Sequence, residues 1–341
     1  MTPKTFIVVG AITMASLVAA AGAGRPVFHP TEEGGAAVFP GLVDTIDSIA
    51  RLTIRSPEGS LTIERSGSGW SLKERDGYPV DGAIVRTVIV EMVRAVLLEP
   101  KTAKPERHAL LDLVAPDDPA VPKGRGRELT VQDTSGTTLA ALVIGKHRSD
   151  LGGTGGEEEG IYVRRPGENQ TWLARTGLFP ATKPGGWVNP SVVAIDSARV
   201  ARVTFRPSDG PSFTVNQPPA PALSDNAPVD EGAVRRVLAL LSGVTLDDVR
   251  KGNAIPLGAA KPPRVEVSTR DGLVVTLTVH EHDKATWIAV SAQGTGGLKA
   301  EADTINDRTG GWLYRIPAHT AATLRTRRED LLRKEADEDA S

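Results

Sequence analysis

The sequence predicts an α+β protein: two tandem copies of an antiparallel sheet, each packed against a single amphipathic helix, behind an N-terminal hydrophobic segment. Three observations lead there. First, PVDGAIVRTVIVEMVRAV at 79–96 is answered by PVDEGAVRRVLALLSG at 228–243, so that at a constant shift of 149 Val85, Val88, Ile89 and Met92 fall on Val234, Val237, Leu238 and Leu241. The i, i+3, i+4, i+7 spacing puts each quartet on one helical face, and Asp81 and Asp230 stand where an N-cap accepts orphan backbone N–H groups. Second, the helix in each half follows short runs that alternate apolar and polar residues, the period of a strand with one buried face. Third, Ile46-Asp47-Ser48 with ARLTIR is answered by Ile195-Asp196-Ser197 with ARVTFR after a breaker cluster, which makes an internal repeat the organising feature. With 341 residues, 40% of them apolar, the chain has material for two ordinary cores.

In order, residues 1–24 hold Lys4 and then FIVVGAITMASLVAAAGAG, an uncharged run stopped by Arg25 and Pro26. Its length is near that of a membrane span, and Ala19-Ala20-Ala21 offers a small-residue cleavage pattern, so a transmembrane anchor and a signal peptide are both expected readings. Either puts the rest of the chain outside the cytoplasm, in the periplasm of a cell with an inner membrane, and residues 25–45 read as a tether. The first repeat, 46–190, opens on ARLTIRS, SLTIERS and WSLKERD, parted by Pro57-Glu58-Gly59 and Ser66-Gly67-Ser68-Gly69: a three-stranded meander covered by the first helix. HALLDLV at 108–114 predicts a helical turn or two. RELTVQD, TLAALVIGK, IYVRRP and QTWLAR then supply strands that extend or face the meander. Pro180, Pro184, Gly185, Gly186 and Pro190 mark the boundary. In the second repeat, 195–325, Pro218 to Pro228 replaces or shortens the third strand, RVEVSTRDG, LVVTLTVHEH and ATWIAVSAQ form the later group, and Trp312-Leu313-Tyr314-Arg315 echoes Trp172-Leu173-Ala174-Arg175. The charged tail, 326–341, predicts a short helix through Leu332.

Composition excludes several chemistries. Without cysteine there is no disulfide, thiolate metal site, cysteine nucleophile or lipid-modified N-terminal cysteine. A net charge of −2 and 4% aromatic residues give no platform for nucleic acid. His280 and His282 flank Glu281 at a spacing metal sites use, but no third ligand is near, and the run reads as a solvent-facing strand edge. Gly67-Ser68-Gly69 is a turn and no G-x-S-x-G elbow. Gly145-Lys146 and Gly152 to Gly156 lack the context of a phosphate loop. Glu157 to Glu159 read as a solvated hairpin tip rather than a calcium loop, and Asp81 and Asp230 as helix caps. Trp70, Trp172, Trp187, Trp287 and Trp312 read as core or sheet-face packing. The Asn169-Gln170-Thr171 sequon has meaning only in a glycosylating host. No catalytic, cofactor-binding or metal-binding residue is assigned, and no cofactor is expected.

The N-terminal apolar segment, Phe39-Pro40-Gly41-Leu42, Ile49 to Ile54 with Trp70-Ser71-Leu72, Tyr78-Pro79-Val80-Asp81, Glu99-Pro100-Lys101-Thr102, Leu142 to Lys146 and Tyr162 to Pro166 together resemble a bacterial family described as domain of unknown function 4340. The resemblance implies a membrane-anchored extracytoplasmic protein linked with the auxiliary subunits of gliding-type ABC transporters. The expectation is therefore a non-enzymatic, membrane-tethered envelope protein that presents sheet edges and loops to a transporter or envelope partner. The alternatives are a secreted solute- or glycan-binding protein with its ligand between the repeats, separable by N-terminal sequencing, and a hydrolase, for which no triad or metal pattern is present.

Overall fold

The computed structural model describes residues 35–148, 160–217, 222–223, 225, 227–256 and 261–333. The apolar segment 1–24, the acidic tip at 157–159 and the end of the tail lie outside these residues. Among the described residues, no helix is long and apolar enough to cross a membrane.

The first half runs β1 (Ala36–Ala37), a 3-10 segment (Leu42–Ser48), β2 (Ile49–Ser56), β3 (Gly59–Ser66), β4 (Gly69–Leu72), β5 (Tyr78–Val80), α1 (Gly82–Arg94), β6 (Val96–Pro100), β7 (Arg127–Asp133), β8 (Thr138–Arg148), β9 (Gly160–Arg164) and β10 (Thr171–Arg175). These strands form one antiparallel sheet in the order β1-β6-β10-β9-β8-β7-β2-β3-β4-β5. The later strands extend the meander, because β7 pairs with β2 and sets Leu52 opposite Val131 and Ile54 opposite Leu129, all four buried. The meander departs from its predicted form at one place. WSLKERD leaves the sheet after Leu72, turns through a 3-10 segment at Lys73–Arg75, and reverses at Asp76 and Gly77, both with positive φ, into β5. Pro79 is tolerated there because β5 is an edge strand, where a missing N–H breaks no ladder. Taking Pro79 and Val80 into the sheet also moves the helix start to Gly82, where the Asp81 side chain accepts the Ala83 N–H at 2.8 Å. Val85, Val88 and Met92 are buried and Ile89 packs partly buried against the same core.

The second half runs β11 (Ser191–Val193), β12 (Val200–Arg206), β13 (Phe213–Asn216), β14 (Ala222–Leu223), α2 (Glu231–Leu238), β15 (Val244–Thr245), β16 (Asp248–Lys251), β17 (Arg264–Thr269), β18 (Val274–His282), β19 (Ala285–Gln293), α3 (Lys299–Thr309), β20 (Trp312–Arg315) and α4 (Ala318–Leu324). β11 and β15 pair alone; the others form an antiparallel sheet in the order β14-β13-β12-β17-β18-β19-β20-β16. Read from β16, this order matches the first sheet read from β6, strand for strand, as far as β4. Register agrees too: β2 bulges between Ile49 and Arg51 against β7, and β12 bulges between Val200 and Arg202 against β17. Val85 and Val234 are both fully buried, and Asp230 caps α2 by accepting the Ala233 N–H at 3.0 Å.

The halves differ where the sequence differs. The proline-rich stretch leaves a third strand of two residues, β14. α2 ends at Leu238, and Leu241 reaches the core from a 3-10 turn at Leu240–Ser242. A single helix does not describe this half, since α3 and α4 are added. α3 fills the connection between β19 and β20, where the first half has a tight turn, and its Asn306 amide both donates to Ala292 O and accepts from Ala292 N at 2.8 Å. It buries only Ala302, Ile305 and Thr309 in a charge-rich segment, too sparse a stripe to announce a helix by periodicity. The tail forms a 3-10 turn, Arg328–Leu331, and a bridge from Leu332 to Val229.

The two large sheets are separate hydrogen-bonded networks that meet where the turn between β4 and β5, with Tyr78, packs against β16 and β20. Arg75 makes a bidentate pair with Asp248, Nε to Oδ1 at 2.5 Å and Nη2 to Oδ2 at 3.1 Å. Asp76 accepts the Lys251 N–H at 3.3 Å, and the Tyr78 ring stands edge-on to Trp312 and Tyr314, with centroids at 4.8 and 6.2 Å. Burial raises the Tyr78 and Tyr314 phenols above their ordinary pKa, so both stay protonated. The Asp81 N–H donates to Trp187 O at 2.9 Å, and the fully buried Trp187 ties the segment between the halves into a core continuous across both.

Candidate functional site

The end of the sheet where β12 turns into β13 and β17 begins is built differently in the two halves. In the first half the hairpin is tight, Ser56 to Gly59, and the 101–126 connection folds down over the strand ends. Two glycines permit that approach. A Cβ at Gly145 would lie 2.1 Å from Leu111 O, and one at Gly126 would lie 2.5 Å from Asp112 O. The charge is also closed off: the nearly buried Glu128 takes Arg55 at 2.6 Å, and Asp117 of the connection takes the same guanidinium at 2.8 Å.

Strand register identifies the counterparts in the second half. Arg55 stands opposite Glu128 as Arg206 stands opposite Arg264, and following the ladder into β18 sets His280 where Gly145 stands and Pro262 where Gly126 stands. Bulk thus replaces both clearances, and a cation replaces the neutralising acid. The end stays open as a cavity of about 610 Å³, within the range of small-molecule clefts. Phe205 and Phe213, stacked with centroids 4.8 Å apart, line it together with Val279, Leu324 and three prolines. The hairpin loop 207–211 and the C-terminal segment 324–329 form its walls.

The rim is ionic, and most of its charges are already matched. Arg206 binds Glu266 through Nε at 2.9 Å and Nη2 at 3.1 Å. Arg325 reaches Glu281 at 2.6 Å, Arg327 reaches Asp209 at 3.4 Å, and Arg328 pairs with Asp225. The Arg328 guanidinium holds the Asp225 carboxyl below the usual carboxylate range, first through its hydrogen bond. Arg264 and Glu329 are exposed, and among the described residues neither side chain has an ion pair or a hydrogen bond. His280 is half-buried on the wall, and desolvation lowers its pKa, which keeps it neutral near pH 7.

The other groups singled out in the sequence lie apart from one another. His282 contacts Asp283 at 3.2 Å, Ser68 sits in the β3–β4 turn, and Lys146 donates to Leu110 O at 2.8 Å. Among the described residues, no three His, Asp or Glu side chains are grouped to hold a metal ion. Trp187 and Trp287 are buried, while Trp70, Trp172 and Trp312 pack partly buried against the core. The cavity itself was missed by sequence reasoning. Its residues come from four separate segments, which come together only when the strands pair.

The family model described as domain of unknown function 4340 matches residues 70–262, more than half of the chain. The chain belongs to this family. No curated protein and no solved structure matches it. In this member of domain of unknown function 4340, the matched region takes in both capped helices and the contact of the β4–β5 turn with β16, and it stops before Arg264. Of the cavity, it contains the Phe205–Phe213 pair and the hairpin loop, while Arg264, His280 and the C-terminal wall lie beyond it.

Proposed function

We propose that this chain is a non-enzymatic binding protein of the bacterial envelope, tethered by its N-terminal apolar segment and acting as an accessory component of a gliding-type ABC transporter or a comparable envelope complex. In this reading one supersecondary unit was duplicated, as residues 46–190 and 195–325, and the second copy kept its end open for recognition while the first copy closed it. The single observation that carries the proposal is the open apolar cavity with an ionic rim at the end of the second sheet. Apolar walls with a few oriented polar groups are the ordinary make-up of a binding pocket, and the rim arginines are engaged in ion pairs that hold the loops in place.

The test is photo-crosslinking in living cells from a probe residue at Ser208 or Thr326 of the full-length chain, followed by identification of the adduct. Recovery of an envelope component from these positions, and none from a probe at Arg86 on the outer face of α1, is the expected result. A rim that captures nothing beyond the control refutes the proposal. N-terminal sequencing of the mature protein separates the tethered form from a released solute- or glycan-binding form, since a start near Arg25 requires cleavage of the leader.

A further inference from the structure

The outward face of the second sheet carries a charge pattern that the first sheet does not share. Val203, Phe205, Val215, Val265 and Val267 are buried on the inward side of β12, β13 and β17. By strand alternation Arg202, Arg206 and Arg264 stand on the opposite side, and all three are exposed. Register gives the counterparts in the first half. Arg51 stands opposite Glu64 and Arg55 opposite Glu128, with ion pairs at 3.8 and 2.6 Å, and Asp117 of the 101–126 connection closes over Arg55. In the second half Arg202 stands opposite Asn216 and Arg206 opposite Arg264, so both acids are gone from these pairs. Glu266, the carboxylate on this part of the face, is held by Arg206 through both of its oxygens. Arg202 donates to Ser268 Oγ at 3.5 Å, and among the described residues neither Arg202 nor Arg264 pairs with a carboxylate. A face that is charge-matched and covered in one half is therefore cationic and open in the other, on a chain whose net charge is −2.

We propose that this face binds a linear anionic glycan, a polymer of sugar or sugar-alcohol units with a carboxylate or phosphate on each repeat. The guanidinium fork matches either group. Arg202 and Arg206 are four residues apart on one strand, roughly 13 Å of backbone, and Arg264 lies beside Arg206. The uncompensated charges are thus spread over a length that a chain of repeating anions spans and a single small anion does not, and linked contacts reinforce one another. Beside the arginines the same face presents the hydroxyls of Thr204, Thr214, Thr276 and Thr278, which both donate and accept, as sugar hydroxyls do. Protein partners anchor on aromatic and aliphatic side chains. The exposed large apolar residues, Val43, Leu110 and Phe179, all lie in the first half, so this face offers a protein no such anchor. The glycan surface lies on the side of the sheet away from Phe205 and Phe213, and it does not depend on the reading of the cavity.

The experiment uses the full-length chain in phosphatidylcholine nanodiscs and calorimetry with four probes: an oligogalacturonate, a ribitol phosphate oligomer, a neutral maltodextrin of matched length and an oligoglutamate of matched charge. Saturable binding of the oligogalacturonate, the ribitol phosphate oligomer or both is expected, weakening as salt is raised, with maltodextrin and oligoglutamate each weaker by about tenfold or more. The tighter of the two anionic glycans distinguishes a carboxylate source from a phosphate source. Arg202→Gln and Arg264→Gln each weaken it by about fivefold, and the double variant by about 25-fold, because the two positions are far enough apart for their effects to multiply. Arg86→Gln, on the outer face of α1, alters nothing. Both arginines are exposed, so the variants fold, and an unchanged melting temperature verifies this. The inference is overturned if neither glycan saturates up to roughly 1 mM, if oligoglutamate matches the glycans, which makes the face a site for acidic protein, or if the double variant binds as the parent does. Crosslinks from Ser208 or Thr326 report on the cavity and are untouched by these variants, so the two readings fail separately.

Discussion

The junction between the halves holds a desolvated ion pair whose removal has a calculable effect. Arg75 and Asp248 hold each other through two hydrogen bonds, with their side chains only 15% and 9% exposed. Asp248→Ala leaves the guanidinium shielded from water without its carboxylate, a loss of the order of 3–5 kcal/mol for breaking a buried pair. The lower end applies here, because Arg75 keeps its 2.8 Å bond to Glu74 O. The same substitution frees the Val249 N–H, which donates to Asp248 Oδ1 at 2.8 Å. We therefore expect Asp248→Ala to lower the unfolding free energy by about 3 kcal/mol in urea titration. Arg75→Met with Asp248→Leu, which removes both charges and keeps the volume, should recover to within about 1 kcal/mol of the parent. A loss below about 1 kcal/mol for the single variant, or a double variant no better than the sum of the singles, would refute the claim that this pair is desolvated and holds the junction.

Three further outcomes are expected. Val85→Ala and Val234→Ala each remove two methyl groups from fully buried sites and should each cost about 2 kcal/mol; chemical denaturation that finds one of them near neutral contradicts the equivalence of the two helices. Gly145→Ala drives a Cβ to 2.1 Å from Leu111 O and should destabilise the first half by about 2 kcal/mol or more, whereas His280→Ala, at the corresponding position, is tolerated. Arg199 depresses the pKa of Glu301, mainly through their hydrogen bond, so the stability of this contact is present above the ordinary value of 4.5 and is lost as pH falls through the lowered one. The melting temperature should accordingly drop on acidification below about pH 4.5, less steeply in Arg199→Gln, and equal slopes would remove the contact from the account.

Features set by local chemistry were legible in the chain. The capping aspartates, the apolar stripes behind them and the alternating runs of both meanders follow from side-chain period and backbone hydrogen-bonding needs, which a sequence displays directly. The order of strands in the sheet is a non-local property, yet the repeat made its two-fold recurrence visible, since the same runs recur in the same succession. β5 was missed because Tyr78-Pro79-Val80 is too short to show a period, and α3 because its buried stripe has only three members. The cavity lay beyond reach for a different reason. Its character comes from which residue opposes which across β12, β17 and β18, and insertions between the halves hide that register until the strands are paired.

All four outer margins of the two large sheets are cut short. β1 and β14 have two residues each, β5 has three including Pro79, and β16 has four and is shielded by the first half. A duplicated chain carries an inherent hazard, because a unit that fits beside its own copy can accept a third copy from a neighbouring molecule, then a fourth, and so extend into a fibre. Among the described residues the outermost strands other than the shielded β16 offer two or three residues each, which leaves an incoming strand little to pair with. Short outer strands of this kind work against self-assembly by strand addition.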